Sequence, residues 1–240
     1  MHCEPVLSLR PHSRGLLIVA LFLYPVLGCD SGSSSVGTLT VIVDGWNAEA
    51  DARVSLEGVE LCEAGTPNCA TTNADGVGSI DLPIDEEITY TLVKEGYASY
   101  LFADIVPASG FQLEFLMLTD ELLASQYERL MSSYPPEGEG EIAIELHPTF
   151  AGVTFDLETS GKGYYVDETE AWSSDLAETS SEGRGGFLEV EPGSFQIELG
   201  GTAEGCAAGL AWPGNVENSI RVPVLEGHRT FATANCSTTP

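Results

Sequence analysis

The 240-residue chain is predicted to be all-β: two tandem β-sandwiches joined by one α-helix, behind an N-terminal targeting segment. Apolar residues alternate with polar ones in short runs rich in Val, Ile and Thr, the period of strands that bury one face. Turn residues are spread along the whole chain, 26 Gly and 13 Pro, which suits many short strands better than a helical bundle. One turn string occurs twice, Thr72-Asn73-Ala74-Asp75-Gly76 and Thr179-Ser180-Ser181-Glu182-Gly183, as Thr-x-x-acid-Gly with the same spacing. At about 150 residues per domain the length allows one to two domains.

The first sandwich is placed at residues 38–118. Leu39, Val41 and Val43 alternate, then Ala52, Val54 and Leu56. Cys62 to Cys69 is a Gly/Pro loop, and the first Thr-x-x-acid-Gly turn leads to Ile80 and Leu82 in alternation. Further strands are predicted at residues 88–93 and 111–117. Residues 119–139 hold the helix and a linker. Thr119 or Asp120 caps the helix, Asp120 and Glu121 fill its first turn, and Pro135-Pro136 stop it. Leu123, Tyr127, Leu130, Met131 and Tyr134 form one apolar stripe that packs against a neighbouring domain.

The second sandwich is placed at residues 140–236. Ile142, Ile144 and Leu146 alternate, as do Val153, Phe155 and Leu157. After the second turn string come Phe187 and Val190, a tight turn at Pro192-Gly193, and a strand through Phe195 and Ile197. Residues 220–224 and 230–233 are predicted to form a terminal hairpin, with Pro223 marking an edge strand or bulge.

Residues 1–28 form a targeting segment and are set aside from the fold. Arg10, His12 and Arg14 give a basic start, and the apolar run from Gly15 to Leu27 is too short for the roughly 17–25 residues of a spanning helix. Val26-Leu27-Gly28-Cys29, followed by the Ser/Gly-rich stretch from Ser31 to Gly37, resembles the lipobox of a bacterial lipoprotein precursor. The resemblance implies cleavage after Gly28, acylation of Cys29 (the palmitate class of modification) and a flexible linker over residues 29–37. It also implies a membrane partner through that lipid anchor and a place in the cell envelope, on the periplasmic face or the cell surface. An ordinary secretory signal with an incidental cysteine is the alternative. Multiple acyl chains anchor stably, at about 0.8 kcal/mol per buried methylene.

Cleavage leaves Cys62, Cys69, Cys206 and Cys236 besides the lipid cysteine. An even number in an exported protein points to two disulfides. Four cysteines allow three connectivities; Cys62–Cys69 with Cys206–Cys236 keeps each bridge inside one sandwich. The second closes the longer loop and stabilises by ~3–4 kcal/mol in the chain-entropy picture. Zinc is disfavoured, since neither pair has C-x-x-C spacing or a neighbouring histidine.

Each repeat runs strand, Ala-x-Val-x-Leu-like strand, Thr-x-x-acid-Gly turn, strand, Pro or Pro-Gly, strand. In the first the residues are Ala52 to Leu56, Thr72 to Gly76 and Tyr90-Thr91-Leu92 with Gly96-Tyr97. In the second they are Gly152 to Leu157, Thr179 to Gly183 and Glu191 to Ile197. This order resembles the carboxypeptidase regulatory-like (prealbumin-like) domains. It implies seven-stranded-type, prealbumin/Ig-like sandwiches without catalytic residues of their own. The first repeat departs from the pattern at Leu82-Pro83-Ile84-Asp85, where Pro-Gly is expected.

Charge narrows the function. Nine basic against 37 acidic residues give −28, a surface that repels phosphate backbones and argues against nucleic acid. His147 and His228 have no second histidine or cysteine at helical or strand spacing and are assigned to structure. No Gly-x-Ser-x-Gly elbow and no phosphate-binding loop with its lysine is present. Thr71 to Gly76 imitates a calcium loop but lacks the first acid, and Leu82 stands where a bidentate Glu is needed. No metal or other cofactor is therefore expected, and weak calcium binding by acids such as Asp85-Glu86-Glu87 is left open. Trp46, read as part of an Asp44-Gly45-Trp46-Asn47 turn, and Trp172 are the loop aromatics best placed to stack on a ligand. The expected function is a non-catalytic, lipid-anchored envelope module for structure or interaction, with a protein or polysaccharide partner. A carbohydrate- or polymer-binding lipoprotein using Trp46 and Trp172 is the alternative, and a carboxylate-based hydrolase a remote one.

Overall fold

The computed structural model describes residues 35–47 and 52–237. The signal segment (1–28), Cys29 and residues 30–34 of the linker lie outside the described residues. Among the described residues the protein is all-β apart from one helix. The first lobe contains β1 (Val36–Asn47), β2 (Ala52–Ser55), β3 (Glu60–Glu63), β4 (Cys69–Thr71), β5 (Val77–Pro83), β6 (Glu87–Val93), β7 (Tyr100–Ile105) and β8 (Phe111–Met117). After α1 (Asp120–Arg129), the second lobe contains β9 (Gly140–His147), β10 (Val153–Leu157), β11 (Lys162–Val166), β12 (Trp172–Ser173) and β13 (Arg184–Val190). It continues with β14 (Gly193–Gly201), β15 (Ala207–Ala208), β16 (Trp212–Pro213), β17 (Ser219–Val224) and β18 (Arg229–Asn235). β1 starts inside the segment read as linker at 29–37, because Val36 and Gly37 already pair with Pro83 and Leu82.

The two lobes repeat one topology. β1 pairs antiparallel with β5 and parallel with β8, the last strand of its lobe. Likewise β9 pairs antiparallel with β13 and parallel with β18. The facing sheets are β4-β3-β6-β7 in the first lobe and β10-β14-β17-β16 in the second. The duplicated turn is built from the same bonds in both. The Thr72 hydroxyl donates to Leu56 O (2.6 Å) and accepts from Val59 N (2.9 Å). The Thr179 hydroxyl donates to Phe150 O (2.9 Å) and accepts from Val153 N (3.0 Å). Each hydroxyl therefore pairs a carbonyl and an N–H at the two ends of a tight loop that would otherwise lack partners there. Gly76 and Gly183 close these turns with positive φ, 74° and 62°, where a Cβ would meet backbone at 2.5 and 2.8 Å.

The lobes are also fused. β18 pairs in parallel with β7 at Arg229↔Tyr100 and Thr230↔Leu101, so the facing sheet of the first lobe continues into the first sheet of the second. Apolar packing follows the same route. Leu39, Val41, Leu61, Tyr90 and Phe102 belong to one core with Leu123, Tyr127 and Leu130 of the helix region, and with Tyr164, Trp172 and Leu188 of the second lobe. A second core, around Ile142, Val153, Ile197 and Val222, fills the second sandwich.

Three local expectations are corrected. The terminal hairpin does not form: β17 lies with β14 and β16, while β18 crosses to the other sheet and lies between β9 and β7. A parallel closing strand needs that crossing, and the first lobe makes it too between β7 and β8. The helix stops before Pro135: Met131 takes φ 54° and is exposed, so it leaves the apolar stripe. A left-handed residue just past the last turn ends a helix by the usual carbonyl-capping geometry. Its start is capped by Thr119, whose hydroxyl accepts from Leu122 N (3.2 Å).

Candidate functional site

The seam between the lobes concentrates the unusual chemistry of the molecule. Arg229 and Glu141 are opposite partners in the β18–β9 ladder, and Arg229 Nη1 lies 2.6 Å from Glu141 Oε1. The Glu141 side chain is 2% exposed and the Arg229 side chain 11%. Tyr164 of β11 donates its hydroxyl to Glu141 Oε1 (2.9 Å), and Tyr127 of α1 donates to Oε2 (3.1 Å). Trp172 stacks on Tyr164 with centroids 4.3 Å apart, and the Arg229 guanidinium sits 4.9 Å from the Trp172 ring. Arg229 Nε meets no acceptor among the described residues, and the indole face beside the guanidinium partly compensates the buried charge.

Burial pushes the Glu141 carboxyl up from its ordinary range; Arg229 and the two tyrosyl hydroxyls pull it back down. Against its own burial, Glu141 and the surrounding tyrosines hold the Arg229 guanidinium above its usual value. The short contact and two donated hydroxyls favour the charged pair. Tyr100, which reaches toward this cluster, is pushed up to about 12, chiefly by burial.

The helix is held from both sides. On the first lobe, Ala98 N donates to Leu118 O (3.0 Å) and Asp120 N to Gly96 O (3.1 Å). On the second, Lys162 Nζ donates to Leu130 O and to Ser132 Oγ (3.0 Å), a cation placed at the carbonyl end of the helix. Trp172 N donates to Gln126 Oε1 (3.2 Å).

Above this seam opens a cleft of about 650 Å³ between the start of α1 and the β6–β7 loop. Its acidic residues are Glu95, Asp120 and Glu121; Tyr97, Tyr134 and Pro135 form ring walls. Ser99, Tyr134 and Gly227 line both the cleft and a small inner cavity that touches Glu141 and Arg229. Tyr134 donates its hydroxyl to Asp120 Oδ1 (2.6 Å).

The sequence-derived sites fare differently. Both disulfides form as paired above, Cys62–Cys69 across the β3–β4 ladder and Cys206–Cys236 thirty residues apart. Cys62 and Cys69 fall with Glu60 in one potential metal-ligand group, but their sulfurs are taken by the disulfide. Trp172 is corrected: it is buried in the seam, stacked and beneath a guanidinium, and offers no open face. Trp46 lies in β1 rather than in a turn and is 42% exposed. Tyr100, Phe102, Tyr164 and Tyr165 are buried as well. Sequence reasoning missed Glu141 and Arg229. The available signal was a Glu beside an alternating apolar strand and an Arg opening the last one, and both patterns suit a solvated face equally well.

No family model matches this chain, and no curated protein matches it. Among solved structures it is similar to the Bacillus anthracis TIE protein, with 13% identity and a TM-score of 0.27 over 84% of this chain and 34% of that one. The chain thus spans about a third of that protein. The minor pilin GBS52 of Streptococcus agalactiae matches at 14% identity and TM-score 0.25, over 85% of this chain and 98% of that one. The shaft pilin SpaA of Lactobacillus rhamnosus GG matches at 11% identity and TM-score 0.25, over 85% and 99%. These likenesses are distant in sequence and loose in superposition.

Proposed function

We propose that the protein is a non-catalytic module of the cell envelope, lipid-anchored through Cys29, whose two lobes (38–118 and 140–236) act as one stiff arm for structure or interaction. The supporting observation is the sealed seam. Glu141, its most strongly buried carboxyl, has both oxygens taken and is covered by Tyr127, Tyr164 and Arg229. A hydrolytic acid must instead reach substrate within hydrogen-bond distance. The cluster serves cohesion.

Calorimetry of the disulfide-intact chain tests the stiff-arm reading. One transition with equal calorimetric and van't Hoff enthalpies is expected; two separable transitions would refute it. Labelled-palmitate incorporation that disappears with Cys29→Ser tests the anchor.

A second reading, polymer binding, has one observation in its favour. Trp46 is exposed on β1, opposite Arg53 of β2 in the ladder. Binding on a glycan and cell-wall polymer array that is lost with Trp46→Ala would support it, and unchanged binding would discard Trp46 as the platform.

A further inference from the structure

We infer that the seam cleft docks lysine or arginine side chains of a basic segment on a partner protein. This rests on the interaction-module reading and adds the chemistry of the partner to it. Charge complementarity is the first ground. The cleft presents the carboxylates of Glu95, Asp120 and Glu121 against the single ammonium of Lys94. That ammonium is engaged elsewhere, since Lys94 Nζ donates to Glu57 O (2.7 Å).

The positive end of a helix would oppose a bound cation, but here it is already spent. Asp120 N and Leu122 N have acceptors in Gly96 O and Thr119 Oγ1, and the first turn carries two acids. Those full charges outweigh the roughly half charge of the helix end.

The walls are the second ground. Tyr97 is held against Gly45, where an added Cβ would meet its hydroxyl at 2.8 Å. Tyr134 is fixed by its bond to Asp120 and by edge packing on Tyr127 at 5.1 Å. Two immobilised rings beside carboxylates suit a cation on an aliphatic stem, because the ring face attracts the charge and the ring body packs the methylenes. Gly96 and Gly227 also line the cleft, and a Cβ at either would meet nothing within 4 Å, so the space beside them is open.

The full-length chain in detergent is titrated with fluorescein-labelled hexalysine, read by anisotropy at about 150 mM salt to screen long-range attraction. Two charge-matched double variants separate the cleft from the acidic surface at large. Glu95→Gln with Glu121→Gln should weaken binding about tenfold. Asp156→Asn with Glu198→Gln, on exposed strands of the second lobe, should weaken it about twofold or less. Ala124→Trp, which fills the cleft from the exposed side of α1 without changing charge, should abolish saturable binding while leaving the melting temperature in place. Equal losses in the two double variants, or binding that survives Ala124→Trp, would overturn the inference. In that event a single calorimetric transition would still leave the stiff-arm module standing, whereas split transitions would remove the module reading itself.

Discussion

The two lobes share a topology and a turn but use their first strands differently. In β1, Leu39, Val41 and Val43 are buried while Val36, Thr38 and Trp46 are exposed, the alternation of a sheet with one wet face. In β9, Gly140 to Ile144 are all buried, as are Leu146 and the intervening Glu141. The difference comes from position. β1 belongs to a four-stranded outer sheet, whereas β9 lies inside the ten-stranded sheet that runs through both lobes and is covered by the aromatic cluster. The same central strand of the repeat can thus keep one wet face or be covered on both. What changes is the face that the neighbour covers, and a charge placed on that face must bring its partner with it.

The sharpest way to break this contrast is to remove the buried partner. Glu141→Ala strands Arg229 and should cost about 3–5 kcal/mol in denaturant unfolding. Glu141→Gln, which keeps the shape and an acceptor, should cost less. Equal losses would mean that the charge, and not the side chain's shape or its acceptor, holds the seam.

The disulfides come next. Replacing both Cys206 and Cys236 by Ala should cost ~3–4 kcal/mol, against roughly 2–2.5 for the Cys62–Cys69 pair, because the loops closed differ in length. Equal melting shifts would contradict the chain-entropy account.

The duplicated threonines test likeness instead. Thr72→Val and Thr179→Val each leave a buried N–H and a carbonyl without the hydroxyl, so each should lose about 1–3 kcal/mol, and by matching amounts. A marked inequality would show that the two turns are not energetically equivalent.

Alkali should attack the seam through its phenols. Burial raises Tyr127 and Tyr164 above the ordinary value near 10, and Tyr100 to about 12. A group raised in the folded state contributes its full stability below the unfolded pKa and loses it as pH climbs toward the folded one. Stability should therefore fall as pH rises from about 10 toward 12, with tyrosinate absorbance appearing together with unfolding. Free titration of these tyrosines near 10 in the native state would refute it.

The smallest effect belongs to an exposed pair. Asp156 and Glu198 face each other across the β10–β14 ladder, so Asp156→Asn should stabilise by a few tenths of a kcal/mol at low salt. No change at low salt would show that solvent already screens the pair.

Much of this was legible because it is local. Alternation located the strand around Leu39 to Val43, Thr119 or Asp120 marked the helix start, and keeping each bridge inside one sandwich chose the disulfides. The pairing of distant strands was not legible. The hairpin expected at residues 220–233 failed because β17 and β18 belong to different sheets, and short sequence separation says nothing about which sheet a strand joins. Trp172 was misplaced for a related reason: its two-residue strand is too short to show a period, and its burial depends on α1 and Arg229. Met131 fits the helical period yet falls just beyond the last turn, a boundary that periodicity does not resolve.

The parallel closing strands have a mechanical consequence. In each lobe the chain enters along the first strand and leaves along a parallel neighbour, β8 beside β1 and β18 beside β9. Tension applied to a lobe through these two strands drags them past each other lengthwise. All the ladder bonds between them then share the load at once, rather than opening one by one as in a peeled hairpin. A protein tethered at its N-terminus and pulled at its far end would resist as a pair of shear joints in series.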